Sequence, residues 1–256
     1  MAYEIDLKNK TCVIMGGSRG IGAECCRQLA RAGANIAFSY NKSPDRADAL
    51  MKEIETHQVK ARTYGLNLGN PDQVKSMIDE VYAEFGSIDV LVYNAAILIA
   101  SPLEDITIEQ WRQTMAINLD GAFYSAKYAI PYMLKGNGGK IIFISSNATI
   151  NGGGSTVAYP ASKAGLEGLA KQLLKEFLSK GINVNIVSPA VIDTELLRER
   201  YPTDEMIAEY GKNMPVGRVG KPEDIANAVV FFASDKSDYI CGHNLLVDGG
   251  RTYYIK

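Results

Sequence analysis

Short apolar runs alternate with longer stretches of helical periodicity from one end of the chain to the other. Short runs rich in β-branched and aliphatic side chains are typical of buried strands. They predict strands at Thr11–Met15, Asn35–Tyr40, Lys60–Leu66, Val90–Tyr93, Gly139–Ser145, Ile182–Ser188 and Asn244–Val247, of which Lys60–Leu66 is the most polar. Between them, apolar residues recur at the i, i+3, i+4, i+7 spacing of a helix, as at Val74, Met77, Ile78, Val81 and Phe85, and at Leu166, Leu169, Ala170, Leu173 and Phe177.

Two helix starts are marked by a polar residue followed by proline. Ser43-Pro44-Asp45 and Asn70-Pro71-Asp72 each place a capping side chain before a proline at the first helical position. Strands that alternate with helices form βαβ units, and such units build a parallel sheet with helices on both faces. Because no linker, charge block or internal repeat divides the chain, we predict a single doubly wound α/β domain over residues 1–256.

Composition narrows the class of partner. Lys plus Arg number 27 and Asp plus Glu 29, so a formal charge of −2 gives no general attraction to nucleic acid or to an anionic membrane. No apolar run approaches the roughly 20 residues that span a bilayer. We therefore expect a small-molecule partner, with no nucleic acid and no membrane.

Cysteine and histidine usage bears on location and on metal chemistry. The 4 cysteines, Cys12, Cys25, Cys26 and Cys241, form no C-x-x-C pair, and the first residues lack the pattern of a secretory signal, so we expect a reduced, cytoplasmic protein. The 2 histidines, His57 and His243, are isolated. We therefore expect neither a metal site nor a Ser-His-Asp hydrolase.

A glycine-rich turn follows the first predicted strand directly. It reads Gly16-Gly17-Ser18-Arg19-Gly20-Ile21-Gly22 and leads into a helical stretch. Glycine permits positive φ and a close approach of the main chain, and the helix N-terminus offers free N–H groups to phosphate. An ordinary tight turn is the alternative, but the position between strand and helix favours dinucleotide binding.

The second predicted strand bears on the choice of cofactor. An acidic residue near its end normally binds the ribose 2′-hydroxyl of NAD, and residues 35–44 contain none. Tyr40 stands at that place and is followed by Asn41 and Lys42. Arg19 and Lys42 would pair with a 2′-phosphate, although both are also explicable as ordinary surface charges. We expect NADP(H), with NAD(H) disfavoured.

Tyr159 and Lys163 are the candidate acid–base pair. Residues four apart on a helix share a face, and an ammonium near a phenol favours phenolate. The expected result is a lowered pKa for Tyr159, suited to proton transfer near neutral pH. With 14 tyrosines in the chain, the Y-x-x-x-K pattern is weak by itself.

Together these motifs resemble the short-chain dehydrogenase/reductase family, which has the Rossmann fold. The family's T-G-x-x-x-G-x-G turn is matched from Gly16 onward, with Met15 in place of Thr. The resemblance implies that Ser146, before Tyr159, binds the substrate oxygen. It also implies that Asn118, in the pattern N-x-x-G-x-F, holds a water linked to Lys163.

The resemblance further implies a set of cofactor contacts. Departures from the family pattern occur at Tyr93, Ala96 and Ala190, and Asn67 stands where Asp is usual. The implied contacts are Gly16, Ser18, Arg19, Gly20, Ile21, Gly22, Tyr40, Asn41, Lys42, Asn67, Leu68, Asn94, Ala95, Tyr159, Lys163, Pro189, Ile192 and Thr194.

The implied activity is reversible hydride transfer between NADP(H) and a ketone or secondary alcohol. The substrate stays open among 3-oxoacyl thioesters, sugars or polyols, and steroid-like molecules. An NADP-binding regulator without catalysis is the alternative function, and a methyltransferase is disfavoured because the acidic residue after the second strand is missing. We also expect a substrate lid over residues 195–214, with a partly apolar content, and a homo-oligomer, either tetramer or dimer.

Overall fold

The computed structural model describes residues 5–254 and confirms the doubly wound α/β fold as a single domain. A 7-stranded parallel sheet in the order β3-β2-β1-β4-β5-β6-β7 forms its centre. The strands are β1 Thr11–Met15, β2 Asn35–Tyr40, β3 Ala61–Gly65, β4 Val90–Tyr93, β5 Gly139–Ile144, β6 Ile182–Pro189 and β7 Asn244–Val247.

Helices connect consecutive strands and account for most of the remaining described chain. They are α1 Gly20–Arg31, α2 Pro44–Glu55, α3 Pro71–Phe85, α4 Ile108–Met115, α5 Gly121–Lys135, α6 Ala148–Asn151, α7 Ala158–Phe177, α8 Glu195–Arg198, α9 Asp204–Gly211 and α10 Pro222–Ala233. A π-helical turn, Ala116–Asp120, joins α4 to α5, and 3₁₀ turns occupy Leu178–Lys180 and Asp235–Ser237. Within residues 5–254, no helix is both long and apolar enough to cross a bilayer.

All seven predicted strands are present, and their ends differ from the observed ones by at most one residue. Both ends of β1, β2, β4 and β7 lie where the apolar runs place them. The β6 strand continues through Pro189, because this residue still pairs in register with Val247 of β7. Ser145 lies just outside β5, although its N–H still donates to the Val187 carbonyl at 2.8 Å.

The two proline-marked helix starts are correct, but only one is capped as predicted. Asn70 accepts hydrogen bonds from the N–H groups of Asp72, at 3.0 Å, and Gln73, at 3.3 Å. Ser43 lies at the N-cap of α2, yet its side chain makes no capping hydrogen bond. The capping prediction for Ser43 is therefore wrong, and the fixed φ of Pro44 is what favours the helix start.

The sheet has a separate apolar core on each face. Successive residues of a strand point to opposite faces, so Ile14 packs with helices α1, α2 and α10 while Val13 packs with α3, α5 and α7. Both residues are fully buried. The strands therefore carry nearly continuous apolar runs, as the sequence indicates.

The direction of chain progression through the sheet reverses at β1. This strand pairs with β2 on one side and with β4 on the other. In such sheets the crevice beyond the carboxyl ends of the strands at this switch point binds ligands. The candidate site residues follow the carboxyl ends of β1, β4, β5 and β6 along this edge.

Candidate active site

The turn after β1 is held by a serine on the neighbouring strand. Gly16 has φ +81° and donates its N–H to Ser39 Oγ at 2.9 Å, while the Gly17 N–H donates to the Ser39 carbonyl at 2.9 Å. Sequence reasoning missed Ser39, whose only signal is a hydroxyl within the otherwise apolar end of β2. Met15, which replaces the family's Thr, is fully buried in the core.

Close backbone packing explains the remaining glycines of the turn. A Cβ on Gly22 would overlap the carbonyl oxygen of Gly16. That carbonyl also accepts a hydrogen bond from Asn94 Nδ2 at 2.8 Å, which ties the segment after β4 to the turn. A Cβ on Gly16 would lie 2.9 Å from Ala95 Cα. The structure therefore brings the predicted residues Asn94 and Ala95 against the turn.

The residues present fit a phosphate at the start of α1. Arg19 is the N-cap in extended conformation, and no side chain caps the helix, so its first N–H groups remain available to an anion. Arg19 and Lys42 are exposed, and neither forms an ion pair with another residue of the described range. By contrast, Arg46 Nη1 pairs with Glu195 Oε1 at 3.2 Å.

The segment after β6 packs against the same turn. A Cβ on Gly20 would lie 3.2 Å from Thr194 Cγ2 and 3.5 Å from Glu195 Oε2. Ile192, two residues before Thr194, is buried and forms an isolated parallel bridge with Gly220. Ala190 has no positive φ, so an alanine stands there without backbone strain. Thr194 thus lies against the turn, and Ile192 and Pro189 belong to the same segment, while their predicted contact with the cofactor stays a prediction.

Three further implied cofactor contacts, Tyr40, Asn67 and Leu68, differ in how exposed they are. The Tyr40 ring lies against Gly65, where a Cβ would be 3.1 Å from the Tyr40 hydroxyl. Asn67 is exposed, and its Oδ1 accepts from the Gly69 N–H at 3.0 Å. The Leu68 side chain is buried in the same core cluster as residues of α3 and α5. Its main chain is therefore the part that could contact a ligand.

Ser146, Tyr159 and Lys163 meet at the junction of β5 and α7. The Ser146 side chain lies near enough to the Tyr159 phenol to lower its pKa, and Ser146 Oγ accepts from the Ala148 N–H at 3.1 Å. Lys163 lies one turn beyond Tyr159 and is buried, with its Nζ 5.8 Å from the centroid of the Tyr159 ring. Its Nζ donates to the Ile144 carbonyl at 2.7 Å.

The effect of Lys163 on Tyr159 differs from the prediction. Burial raises the pKa of Tyr159, and the nearby Ser146 side chain acts in the opposite direction. Burial also lowers the pKa of Lys163 to about 7. The expected lowering of the Tyr159 pKa by Lys163 is therefore wrong for the protein by itself, because burial dominates the pKa of each group and Lys163 is not among the causes that lower the pKa of Tyr159.

Asn118 belongs to the π-helical turn and connects three elements. Its Oδ1 accepts from the Ile97 N–H at 2.8 Å, and its Nδ2 donates to the Ile97 carbonyl and to Ser162 Oγ, each at 3.0 Å. Ser162 in turn donates to the Tyr159 carbonyl at 2.7 Å. The structure thus joins Asn118 to the helix that carries Tyr159, while its predicted water-holding role stays a prediction.

Tyr93 supports the π-helical turn that contains Asn118. Its ring is fully buried, and its hydroxyl donates to the Ile117 carbonyl next to Asn118. A Cβ on Gly121 would clash with this hydroxyl, so the glycine of the N-x-x-G-x-F pattern makes room for Tyr93. This contact joins residues far apart in sequence, and nothing in the local pattern indicates it.

A cavity of about 730 Å³ opens next to Pro160, the residue that follows Tyr159, while Ser146, Tyr159 and Lys163 themselves are not among its walls. Its walls are residues 100–103, from the loop after β4, and residues 152 and 155–157, from the loop after α6, together with Pro160. The second loop passes close to the phenol, since a Cβ on Gly154 would lie 3.0 Å from Tyr159 Cδ1. Thr156 Oγ1, in this loop, is buried without a hydrogen-bond partner among the described residues.

The predicted lid segment contributes none of the described walls of this cavity. Residues 195–214 form α8 and α9, held together by Arg198, which pairs with Asp193 at 2.6 Å and with Asp204 at 2.9 Å. The partly apolar content expected of this segment rests on six residues, namely Leu196, Leu197, Tyr201, Met206, Ile207 and Tyr210. Only Ile207 among them is buried, and the rings of Tyr201 and Tyr210 pack with centroids 5.0 Å apart. Coverage of a substrate by this segment stays a prediction.

Known proteins resemble this chain along almost its whole length. A family model described as Enoyl-(Acyl carrier protein) reductase matches residues 16–252. The 3-oxoacyl-[acyl-carrier-protein] reductase FabG of Staphylococcus epidermidis is 38% identical over 94% of this chain and 98% of its own. The 3beta-hydroxysteroid dehydrogenase 1 of Eggerthella lenta is 35% identical over 97% and 96% of the two chains. The structure of a short-chain type dehydrogenase/reductase from Mycobacterium ulcerans superposes with a TM-score of 0.90 at 28% identity, covering 97% of this chain and 91% of that one.

Proposed function

The chain belongs to the short-chain dehydrogenase/reductase family of oxidoreductases, and we propose that it interconverts a ketone and a secondary alcohol with NADP(H). The observation that carries the proposal is the junction of Ser146, Tyr159 and Lys163 at the edge of the sheet that also holds the glycine-rich turn. A regulator without catalysis would have no need of this set of groups. Oxidation of NADPH in the presence of a panel of ketones tests the proposal, and no oxidation with any of them would favour the regulator.

Each group has a distinct role in the proposed reaction. Ser146 Oγ, which lies near the Tyr159 phenol, would donate to the substrate oxygen and orient it. Tyr159 would deliver its proton to that oxygen during reduction and take it back during oxidation. When bound, NADP(H) supplies or accepts the hydride. Lys163 would hold the ribose hydroxyls, and Asn118 would hold a water that links Lys163 to solvent.

The cofactor would occupy the edge from the glycine-rich turn to the segment after β6. The backbone of Gly16, Gly20 and Gly22 would bind the pyrophosphate, with the open N-terminus of α1 beneath it. Asn94, Ile192 and Thr194 already lie against or beside this turn. The substrate remains open among 3-oxoacyl thioesters, sugars or polyols, and steroid-like alcohols, because the reacting groups are common to all three.

We expect NADPH to bind at least tenfold more tightly than NADH. The additional phosphate would pair with the exposed cations Arg19 and Lys42, and such charge-assisted contacts are worth more than about 1.4 kcal/mol. Nicotinamide fluorescence titrations with both cofactors measure the ratio. An Arg19→Gln, Lys42→Gln double variant should lose most of the preference, whereas Lys52→Gln, an exposed charge in the last turn of α2, should keep it. Equal affinities for the two cofactors in the parent protein would contradict the charge argument.

We expect a homo-oligomer, a tetramer or a dimer. The helices at one side of the sheet expose apolar side chains that a monomer leaves in water, including Ile108 at 68% and Phe123 at 45%. Sedimentation velocity at micromolar concentration should show a species larger than the 27.9 kDa chain. Phe123→Glu should shift the distribution towards smaller species. A single 27.9 kDa species for the parent protein would reject the assembly.

We place the enzyme in the cytoplasm. Its four cysteines are free, and Cys12, Cys25 and Cys26 are fully buried as thiols. Burial raises the pKa of each of these three thiols, which keeps them unreactive. Such usage is typical of proteins from a reducing compartment.

A further inference from the structure

The cavity next to Pro160 is mostly apolar on both sides. Pro102 and Leu103 face it from the loop after β4, and Val157 and Pro160 face it from the start of α7. None of the residues that line it, all of them within the described chain, carries a charge. Its volume of about 730 Å³ is within the range of small-molecule sites, and it is widely open to solvent.

Two of the wall residues are unusually exposed for their type. Leu103 is 71% and Val157 38% exposed, and each belongs to a wall of the same concave surface. Scattered apolar residues on a surface need no explanation, but a mostly apolar concave surface that reaches Pro160, the neighbour of Tyr159, marks a place where a ligand excludes water. The hydrocarbon part of a substrate would supply the contacts that these side chains lack.

The charges around the cavity act against an anionic ligand. Glu104 and Asp105 follow Leu103 directly; both are exposed, and within residues 5–254 neither forms an ion pair. A carboxylate or phosphate placed in the cavity would therefore meet negative charge at the rim and no cation in the wall. Only Ser101, Ser155 and Thr156 among the lining residues carry a hydroxyl, so a polyhydroxylated molecule would meet three hydrogen-bonding side chains in a lining that is otherwise apolar or glycine.

We propose that the substrate is an uncharged, hydrocarbon-rich ketone or secondary alcohol whose body lies between Leu103 and Val157. The proposal rests on the oxidoreductase function above and narrows it. Within the three open classes it favours steroid-like molecules and other neutral hydrocarbon-rich ketones over sugars. It also predicts that a charge added to an otherwise identical ketone is strongly unfavourable.

A matched substrate pair isolates the effect of charge. Methyl 4-oxocyclohexanecarboxylate and the corresponding free acid differ by one negative charge at neutral pH. We expect kcat/KM with NADPH to be at least tenfold higher for the ester. In a series of 2-alkanones from butanone to decanone, kcat/KM should rise about fourfold for each methylene until the cavity is filled, because each buried methylene contributes about 0.8 kcal/mol.

A charge-reversal variant tests the position of the site. Leu103→Lys should lower the ester-to-acid ratio at least tenfold and flatten the chain-length series. The matched control is Leu178→Lys, an exposed apolar residue just before the amino end of β6, at the opposite edge of the sheet. It should leave the ratio unchanged. An unchanged ratio in Leu103→Lys would overturn the assignment of the cavity.

The outcomes separate this inference from the proposed function. Equal or faster turnover of the acid or of an aldohexose, compared with the neutral apolar ketones, would overturn the inference while leaving the oxidoreductase function in place. Absence of NADPH oxidation with every ketone, in a protein that binds NADPH, would contradict both.

Discussion

Tyr159→Phe is expected to lower kcat by 10²–10⁴-fold while leaving the Kd for NADPH within about twofold of the parent value. The substitution removes one hydroxyl, the proposed proton donor, and removes no charge. Ser146, held by the Ala148 N–H at 3.1 Å, keeps its place in this variant, so the loss is one of proton transfer. Stopped-flow or steady-state oxidation of NADPH measures the first quantity, and fluorescence titration measures the second.

The matched control for this variant is Tyr82→Phe. Tyr82 lies on α3, where its ring stacks on Tyr132 with centroids 4.2 Å apart, away from the carboxyl edge of the sheet. It should retain the parent kcat. The circular dichroism spectra of both variants must match the parent. Substantial turnover in a folded Tyr159→Phe protein would show that another group is the acid.

The pH profile provides a second readout of the same hydroxyl. Reduction needs the protonated phenol, and burial raises the pKa of Tyr159 above its ordinary value. The rate of reduction limited by this group should therefore stay level through neutral pH and fall only as pH rises past the raised pKa. Oxidation needs the phenolate and should show the opposite trend.

Lys163→Met is expected to lower kcat/KM at least 10²-fold and to weaken NADPH binding about tenfold, because one ammonium is assigned both to the ribose and to the phenol. Methionine keeps most of the side-chain length, so the core around α7 stays filled. Lys163→Met should therefore affect both NADPH binding and catalysis, whereas Tyr159→Phe should affect catalysis alone. Parent-like NADPH affinity in Lys163→Met would contradict the ribose contact.

Unfolding measurements give an independent readout of Lys163. Its pKa is about 7 in the folded protein, below the usual 10.5, because its charge is desolvated. Between these values the unfolded chain binds a proton that the folded chain does not, so the stability of the folded protein should rise with pH. The free energy of unfolding of the parent, relative to Lys163→Met, should therefore increase by a few kcal/mol from pH 7 to pH 10. Parallel curves for the two proteins would contradict the desolvated lysine.

The fold could be predicted from the sequence because its elements are locally encoded. Each buried strand is an apolar run such as Val90–Tyr93, and proline marks the helix starts at Pro44 and Pro71. The parallel order then follows from the alternation of strands and helices. Strand ends were predicted less well, because pairing with a neighbouring strand extends β6 to Pro189.

Contacts between distant segments account for what the sequence did not indicate. Ser39 supports a turn more than twenty residues before it, and Tyr93 supports the π-helical turn next to Asn118. The cavity joins loops that follow β4 and α6, whereas the sequence directed attention to residues 195–214. The direction of the Tyr159 pKa shift depends on burial, which the Y-x-x-x-K spacing does not report.

The most direct test of the proposed chemistry is the fate of the hydride. A neutral apolar ketone is incubated with the protein and with NADPH deuterated on either face of nicotinamide C4, and the alcohol is analysed by mass spectrometry. We predict that one of the two labelled cofactors gives an alcohol heavier by one mass unit, with deuterium on the carbinol carbon, and that Tyr159→Phe forms little of it. An unlabelled alcohol from both cofactors, or no alcohol from any ketone although NADPH is bound, would contradict the account.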